Sequence, residues 1–356
     1  MKKALALLLS IIVLCSPVSV YASGEEDVTV KKSIFDRWSV SSDEIHPELR
    51  FIGNFIRTLV PYMNEMFFSF ANLFMDNIGL PDLTFGINSD EVYIPREDGS
   101  SLRMRVYYPK EKKENVPGLL WIHGGGYAIG CPEQDFSYIQ SFVDASGCVV
   151  AAPDYINSPT APYPAAFNDC YNALLWLKEN GSGYGMRDDQ IFVGGNSAGG
   201  GLCASVVLKA RDTGDVNIAF QMPIYPMLDD RMITESSQNN DAPVWNTKSN
   251  EIAWKLYLGE LYGTENVPSY AAPARETDYS GLPPTLTYIG SIDPFYDETM
   301  NYVKALENAG VSVMYETYEG CFHAFDLLAF TSPAKEAKSF LLDGFMYAVE
   351  NYRAEN

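Results

Sequence analysis

Beyond residue 117 the chain repeats one unit, a short apolar run followed by a stretch with helical spacing. Residues 118–122, 148–152, 191–194 and 285–290 read as buried strands, and a further strand is predicted over 312–318. Residues 136–145, 165–180, 198–211, 298–309 and 334–351 have apolar positions at helical spacing. This alternation predicts an α/β chain, a mostly parallel central sheet with helices on both faces. Ahead of it, residues 91–94 and 102–108 predict a hairpin of exposed, alternating strands. Residues 228–275 break the rhythm with a polar, loop-rich stretch and one helix near 251–261, which predicts an insertion.

The N-terminal third has a different texture. Ile52, Phe55, Ile56, Leu59, Met63, Met66, Phe67, Phe70 and Phe74 follow helical spacing, and Pro61 should divide them between two helices. That much apolar surface is either ordinary core or a helical cap over an apolar pocket, for which adaptable Met and Phe are suited. Residues 23–45 are polar and read as loosely held. Before them, Lys2 and Lys3 precede a short apolar run over 4–15, and Val20-Tyr21-Ala22 offers a cleavage site. The run is short and Pro17 ends it, so a cleaved export signal is favoured over a membrane anchor. The expected organisation is therefore a signal peptide over 1–22, a helical cap region over 23–88 and a catalytic domain over 89–356. Cleavage near Ala22 would place the protein outside the cytoplasm, as a secreted, periplasmic or cell-surface protein.

Gly195-Asn196-Ser197-Ala198-Gly199 matches G-x-S-x-G at a strand-to-helix junction, between the apolar Ile191-Phe192-Val193 and the helical pattern that opens at Ala198. Small residues on either side let strand and helix pack closely around Ser197. The helix start directs free N–H groups toward developing negative charge. A serine hydroxyl needs a base. The chain has three histidines, His46, His123 and His323. His46 stands in the polar N-terminal region and His123 opens a glycine run. His323 follows the strand at 312–318, at the end of the sheet where such sites assemble. By elimination and position it is the base.

The acid that fixes the histidine is Asp293, in the loop after the strand at 285–290 and followed by the rigid Pro294. Asp297 competes, but it stands where the next helix begins and capping explains it. His123-Gly124-Gly125-Gly126 follows a buried strand and predicts an oxyanion hole from the N–H groups of Gly124, Gly125 and Ala198. A phosphate loop is excluded, because no Lys-Ser/Thr and no dinucleotide spacing follows. His123 is expected to hold this loop by side-chain hydrogen bonds.

The net charge of −21 argues against nucleic acid and anionic membranes as partners. Cys131, Cys148, Cys170, Cys203 and Cys321 are widely spaced with no C-x-x-C pair, so no metal site is expected and most read as small buried apolar residues.

Together these motifs resemble the hormone-sensitive-lipase-like carboxylesterases of the α/β-hydrolase superfamily. The residues that carry the resemblance are His123-Gly124-Gly125-Gly126, Gly195-Asn196-Ser197-Ala198-Gly199-Gly200, Tyr270-Ala271-Ala272-Pro273-Ala274-Arg275, Gly281-Leu282-Pro283-Pro284-Thr285, Asp293-Pro294 with Asp297-Glu298, and Gly320 with His323. The resemblance covers about residues 90–350. It implies an α/β-hydrolase fold with a helical cap, ester hydrolysis by a Ser197-Asp293-His323 triad, and no cofactor. The chain departs from the family's usual pattern at Asn196, where Asp or Thr is common, at Ala324, where Gly often stands, and over 154–160. The expected substrate is a small-molecule or glycan ester with a short-to-medium acyl chain. A lipase, an exported acetyl esterase of sugars or polysaccharides, and a non-catalytic binding protein are the alternatives.

Overall fold

The computed structural model describes residues 39–78 and 80–354. The predicted signal peptide over 1–22 and the polar residues 23–38 lie outside the described residues. The N-terminal helices are α1 (Pro47–Leu59) and α2 (Glu65–Ile78), and the chain breaks between them around Pro61 as expected. Residues 39–45 are not loose. The N–H groups of Ser39 and Val40 donate to the Asp241 carboxylate at 2.7 and 2.8 Å, and Ile45 is fully buried.

The sheet contains β1 (Ile87–Pro95), β2 (Ser101–Pro109), β3 (Val116–Ile122), β4 (Val149–Pro153), β5 (Met186–Asn196), β6 (Ile218–Ile224), β7 (Thr285–Gly290) and β8 (Val313–Tyr318). Their order is β1-β2-β4-β3-β5-β6-β7-β8. β2 runs antiparallel to β1 and β4, and every other pairing is parallel. The connecting helices are α3 (Phe136–Ser146), α4 (Ala165–Asn180), α5 (Ala198–Thr213), α6 (Thr247–Leu258), α7 (Tyr296–Asn308) and α8 (Ser332–Asn351).

Burial follows from this layering. Every residue of β3, β4 and β7 is buried, as helices on both faces require. On β2, near the edge, Leu102, Met104 and Val106 point inward while Arg103 and Arg105 alternate with them on the other face, where they pair with Glu133, Asp154 and Asp82.

β6 went unrecognised in the sequence. Gln221 and Pro223 interrupt its apolar run, and the fold accommodates both. The buried Gln221 amide donates to Thr285 Oγ1 at 3.0 Å and accepts from the Tyr302 hydroxyl at 3.3 Å. Pro223 lies near the strand's carboxyl end, opposite Gly195.

The insertion over 228–275 carries α6, which begins earlier than predicted because the Asn246 side chain accepts the Ser249 N–H at 3.0 Å and caps it. Cys131, Cys148, Cys170, Cys203 and Cys321 are all free thiols. Among the described residues no helix is long and apolar enough to cross a membrane.

Strand order dictates where a site can form. The chain leaves β3 toward β4 and leaves β5 toward β6, so a crevice opens outside the carboxyl ends of β3 and β5. The glycine run at 124–126 and the turn at Ser197 both emerge there.

Candidate active site

β5 ends at Asn196 and α5 starts at Ala198, so the whole reversal falls on Ser197. Its φ of 58° and ψ of −121° lie where a residue with a side chain is strained, a conformation kept where structure around it over-determines it. The supports are visible. The Ser197 N–H donates to Ile224 O at 2.9 Å, and its carbonyl accepts from the N–H groups of Gly201 and Met227, each at 3.0 Å. Close approach explains the flanking glycines. A Cβ at position 195 would lie 2.5 Å from the carbonyl oxygens of both Gly199 and Ile122, and one at position 199 only 2.1 Å from that of Ile122.

The turn lifts Ser197 Oγ to 2.8 Å from His323 Nε2, and His323 Nδ1 lies 2.7 Å from Asp293 Oδ2. The other Asp293 oxygen accepts the Phe295 N–H at 2.9 Å, so its carboxylate is aimed from both sides. Asp293 is 1% exposed, His323 4% and Ser197 6%, which keeps water from weakening the array. The three residues singled out in the sequence are thus brought into one hydrogen-bonded line from β5, β7 and β8.

The other predicted positions fall around this line. Gly124 packs against the elbow: a Cβ there would meet Asn196 Oδ1 at 2.2 Å and Ser197 Cβ at 3.2 Å. The Gly125 carbonyl accepts from the N–H groups of Ala128 and Ile129, both at 3.0 Å, and so curls the loop. Ala198 is the first residue of α5, where an N–H has no partner within the helix. Gly124→Ala is expected to push this loop off the elbow, to lower kcat by about 10²- to 10³-fold, the effect expected of losing one oxyanion donor, and to lower the melting temperature too, because the new Cβ would also stand 2.9 Å from the Asn196 carbonyl oxygen. Steady-state kinetics beside thermal denaturation checks this.

The remaining histidines do not join the line. His123 stacks on Tyr155 at 4.1 Å between ring centroids, and its Nδ1 donates to Gly124 O at 2.8 Å. Burial pushes its pKa down to about 4, so it stays neutral and holds the loop, as expected. His46 is half-buried, and its side chain caps α1 through the Glu48 N–H at 3.3 Å. Asp297 does not cap α7. Its carboxylate accepts the Ser236 N–H at 2.8 Å and ties the insertion to that helix. The neighbouring Glu298 is buried and accepts the Leu228 N–H at 2.7 Å, and burial holds its carboxyl well above the usual range.

Several supporting residues carried little signal in the sequence. Asn196 is the departure from the usual pattern, and its amide donates to the buried Asp135 at 2.7 Å. The same Asp135 oxygen accepts the Trp121 indole N–H at 2.8 Å. The uncharged amide at position 196 spares the elbow a second carboxylate beside Asp135. Behind the base, Asp326 is fully buried and accepts hydroxyls from Tyr138, Tyr225 and Tyr288. The Tyr225 ring meets the His323 imidazole edge-on at 5.0 Å. Ala324, where glycine is usual, adopts a left-handed φ of 57°.

Burial pushes Asp135 up to about 7. In the fold it therefore holds a proton that the unfolded chain, titrating near about 4, has already released. Its contribution to stability is complete below about pH 4 and is lost as pH rises through about 7. Asp135→Asn is expected to flatten the fall in melting temperature between about pH 4 and pH 7 relative to the parent protein, which a pH series of thermal melts measures.

Comparison with known proteins agrees with this geometry. Residues 119–327, more than half of the chain, match the family described as the alpha/beta hydrolase fold. Esterase LipI of Mycobacterium tuberculosis is 31% identical over 233 residues, covering 65% of this chain and 72% of the relative. Carboxylesterase NlhH of the same species is 29% identical over 257 residues, covering 71% and 80%. Among solved structures, a bacterial heroin esterase superposes with a TM-score of 0.80 at 37% identity, covering 86% of this chain and 98% of that one. The fold, the match across the catalytic elements and these relatives lead to one conclusion: the chain belongs to the hormone-sensitive-lipase-like family of α/β-hydrolases and is a carboxylic ester hydrolase.

Proposed function

We propose that the protein hydrolyses short-to-medium-chain acyl esters by a serine mechanism with an acyl-enzyme intermediate. The observation that carries this is His323, bridging Ser197 Oγ at 2.8 Å and Asp293 Oδ2 at 2.7 Å. Ser197 Oγ attacks the ester carbonyl while His323 Nε2 takes its proton. Asp293 holds Nδ1–H, fixes the tautomer and stabilises the imidazolium. The oxyanion forms against the N–H groups of Gly124, Gly125 and Ala198, which need no reorganisation at that moment. His323 then protonates the leaving alcohol. Water, deprotonated by the same nitrogen, attacks the acyl-enzyme and releases the acid and free Ser197.

The size of the acyl group is supported by the enclosure of the nucleophile itself. Ser197 is 6% exposed and His323 4%, so an ester reaches them through a narrow opening, which favours a short chain over a long one. Hydrolysis of p-nitrophenyl esters from acetate to palmitate tests the reading. A kcat/KM that peaks between acetate and about hexanoate supports it. Turnover confined to the longest chains would make the protein a lipase, and release of acetate from acetylated xylan in preference to every simple ester would make it a polysaccharide deacetylase.

A further inference from the structure

The insertion places one aromatic residue directly over the reaction centre by an unusual backbone device. The Trp245 N–H donates to Pro243 O at 2.9 Å, two residues back, and Val244 between them has a φ of 71°. This is a γ-turn of the rare, strained kind with a positive central φ. A β-branched residue is especially ill-suited to it. Backbone held in such a state points to a positional demand on what it presents.

What it presents is the Trp245 indole, which is 4% exposed. Three indole carbons lie 2.3–3.1 Å from where a Cβ on Gly126 would stand, so the benzo edge rests on the third glycine of the oxyanion loop. The ring centroid is 6.2 Å from that of His323. Phe295 and Phe68 stand beside the indole at 6.4 and 6.5 Å. The ring is also fixed at its polar end, where Nε1–H donates to the buried Asn250 Oδ1 at 3.3 Å. The next residue, Asn246, caps α6 and donates to Pro61 O at 2.8 Å, tying the turn to the linker between α1 and α2.

His323 Nε2 hands its proton to the leaving alcohol, so a side chain lodged between His323 and Gly126 borders that alcohol rather than the acyl group. We propose that Trp245 is the specificity-determining residue for the leaving group. Together with Phe295 and Phe68 it selects esters of planar aromatic alcohols, with the acyl chain chosen elsewhere. This rests on the serine mechanism above. Offset or edge-on ring contacts add to what burial alone supplies, and a saturated ring of equal size cannot make them.

Benzyl acetate and cyclohexylmethyl acetate test this, because both release a primary alkoxide of similar size and reactivity. The parent enzyme is expected to favour the benzyl ester in kcat/KM by about three- to tenfold, the range that one aromatic contact supports. Trp245→Phe should keep most of that ratio and Trp245→Leu should bring it near one. The ratios among benzyl acetate, butyrate and hexanoate should stay unchanged in both variants. Equal rates on the two acetates in the parent enzyme, or a Trp245→Leu variant that keeps the ratio, would overturn the proposal. So would a variant that shifts only the acyl series, which would place Trp245 on the acyl side. Hydrolysis of either ester that disappears in Ser197→Ala shows that the serine mechanism stands even where the selectivity fails.

Discussion

Ser197→Ala is expected to lower kcat by about 10⁶-fold, the cost of removing the nucleophile from a triad that acts as a unit. KM and melting temperature should change little. The elbow is held by backbone hydrogen bonds to Ile224, Gly201 and Met227, none of which uses the hydroxyl. What survives should be the catalysis that the oxyanion N–H groups and substrate binding supply alone, still above the rate in water. His323→Ala should cost about as much, and the double variant scarcely more than either single one, because each removal disables the same proton transfer. Steady-state kinetics on p-nitrophenyl acetate with the pure proteins measures all three.

Asp293→Asn should lower kcat by about 10⁴-fold without disturbing the fold, by an argument about tautomers. In the parent protein one Asp293 oxygen accepts from Phe295 N–H and the other faces His323 Nδ1. An asparagine offers one acceptor and one donor to two sites that both donate. If its oxygen keeps the Phe295 N–H, its NH₂ meets Nδ1 and drives the ring proton to Nε2. Nε2 can then no longer accept the proton of Ser197. A variant that retained more than about a tenth of the parent kcat would show that Asp293 is dispensable and that another acid serves His323.

The sequence was most informative where one physical constraint dominates. β3, β4 and β7 are buried on both faces, so their sequences are continuous apolar runs that few other structures tolerate. Ser197, Asp293 and His323 were legible because each stands just past a strand, in a chain order that a single sheet can bring together. Contacts made across the fold were not legible. Asp135 reaches Asn196 across 61 positions, and Tyr138 reaches Asp326 across 188. Neither acid has a local pattern that distinguishes it from a surface carboxylate. The only hint was Asn196 itself, an amide in place of the usual acid. β6 was hidden because Gln221 finds hydrogen-bond partners on β7 and α7 that its own segment does not contain. Trp245 lay in a stretch with loop composition, and what it faces, Gly126 and His323, is set by contacts across the fold.

The claim that everything else depends on is that Ser197 Oγ becomes covalently acylated. The most direct measurement is intact-protein and peptide mass spectrometry after reaction with the organophosphate paraoxon, which leaves a stable diethylphosphoryl group on an activated serine. The expected result is a single adduct, carried by the peptide containing Ser197, formed in step with loss of esterase activity and absent from the Ser197→Ala and His323→Ala proteins. An active enzyme that acquires no adduct, or carries it on another residue while Ser197 stays unmodified, would contradict the account.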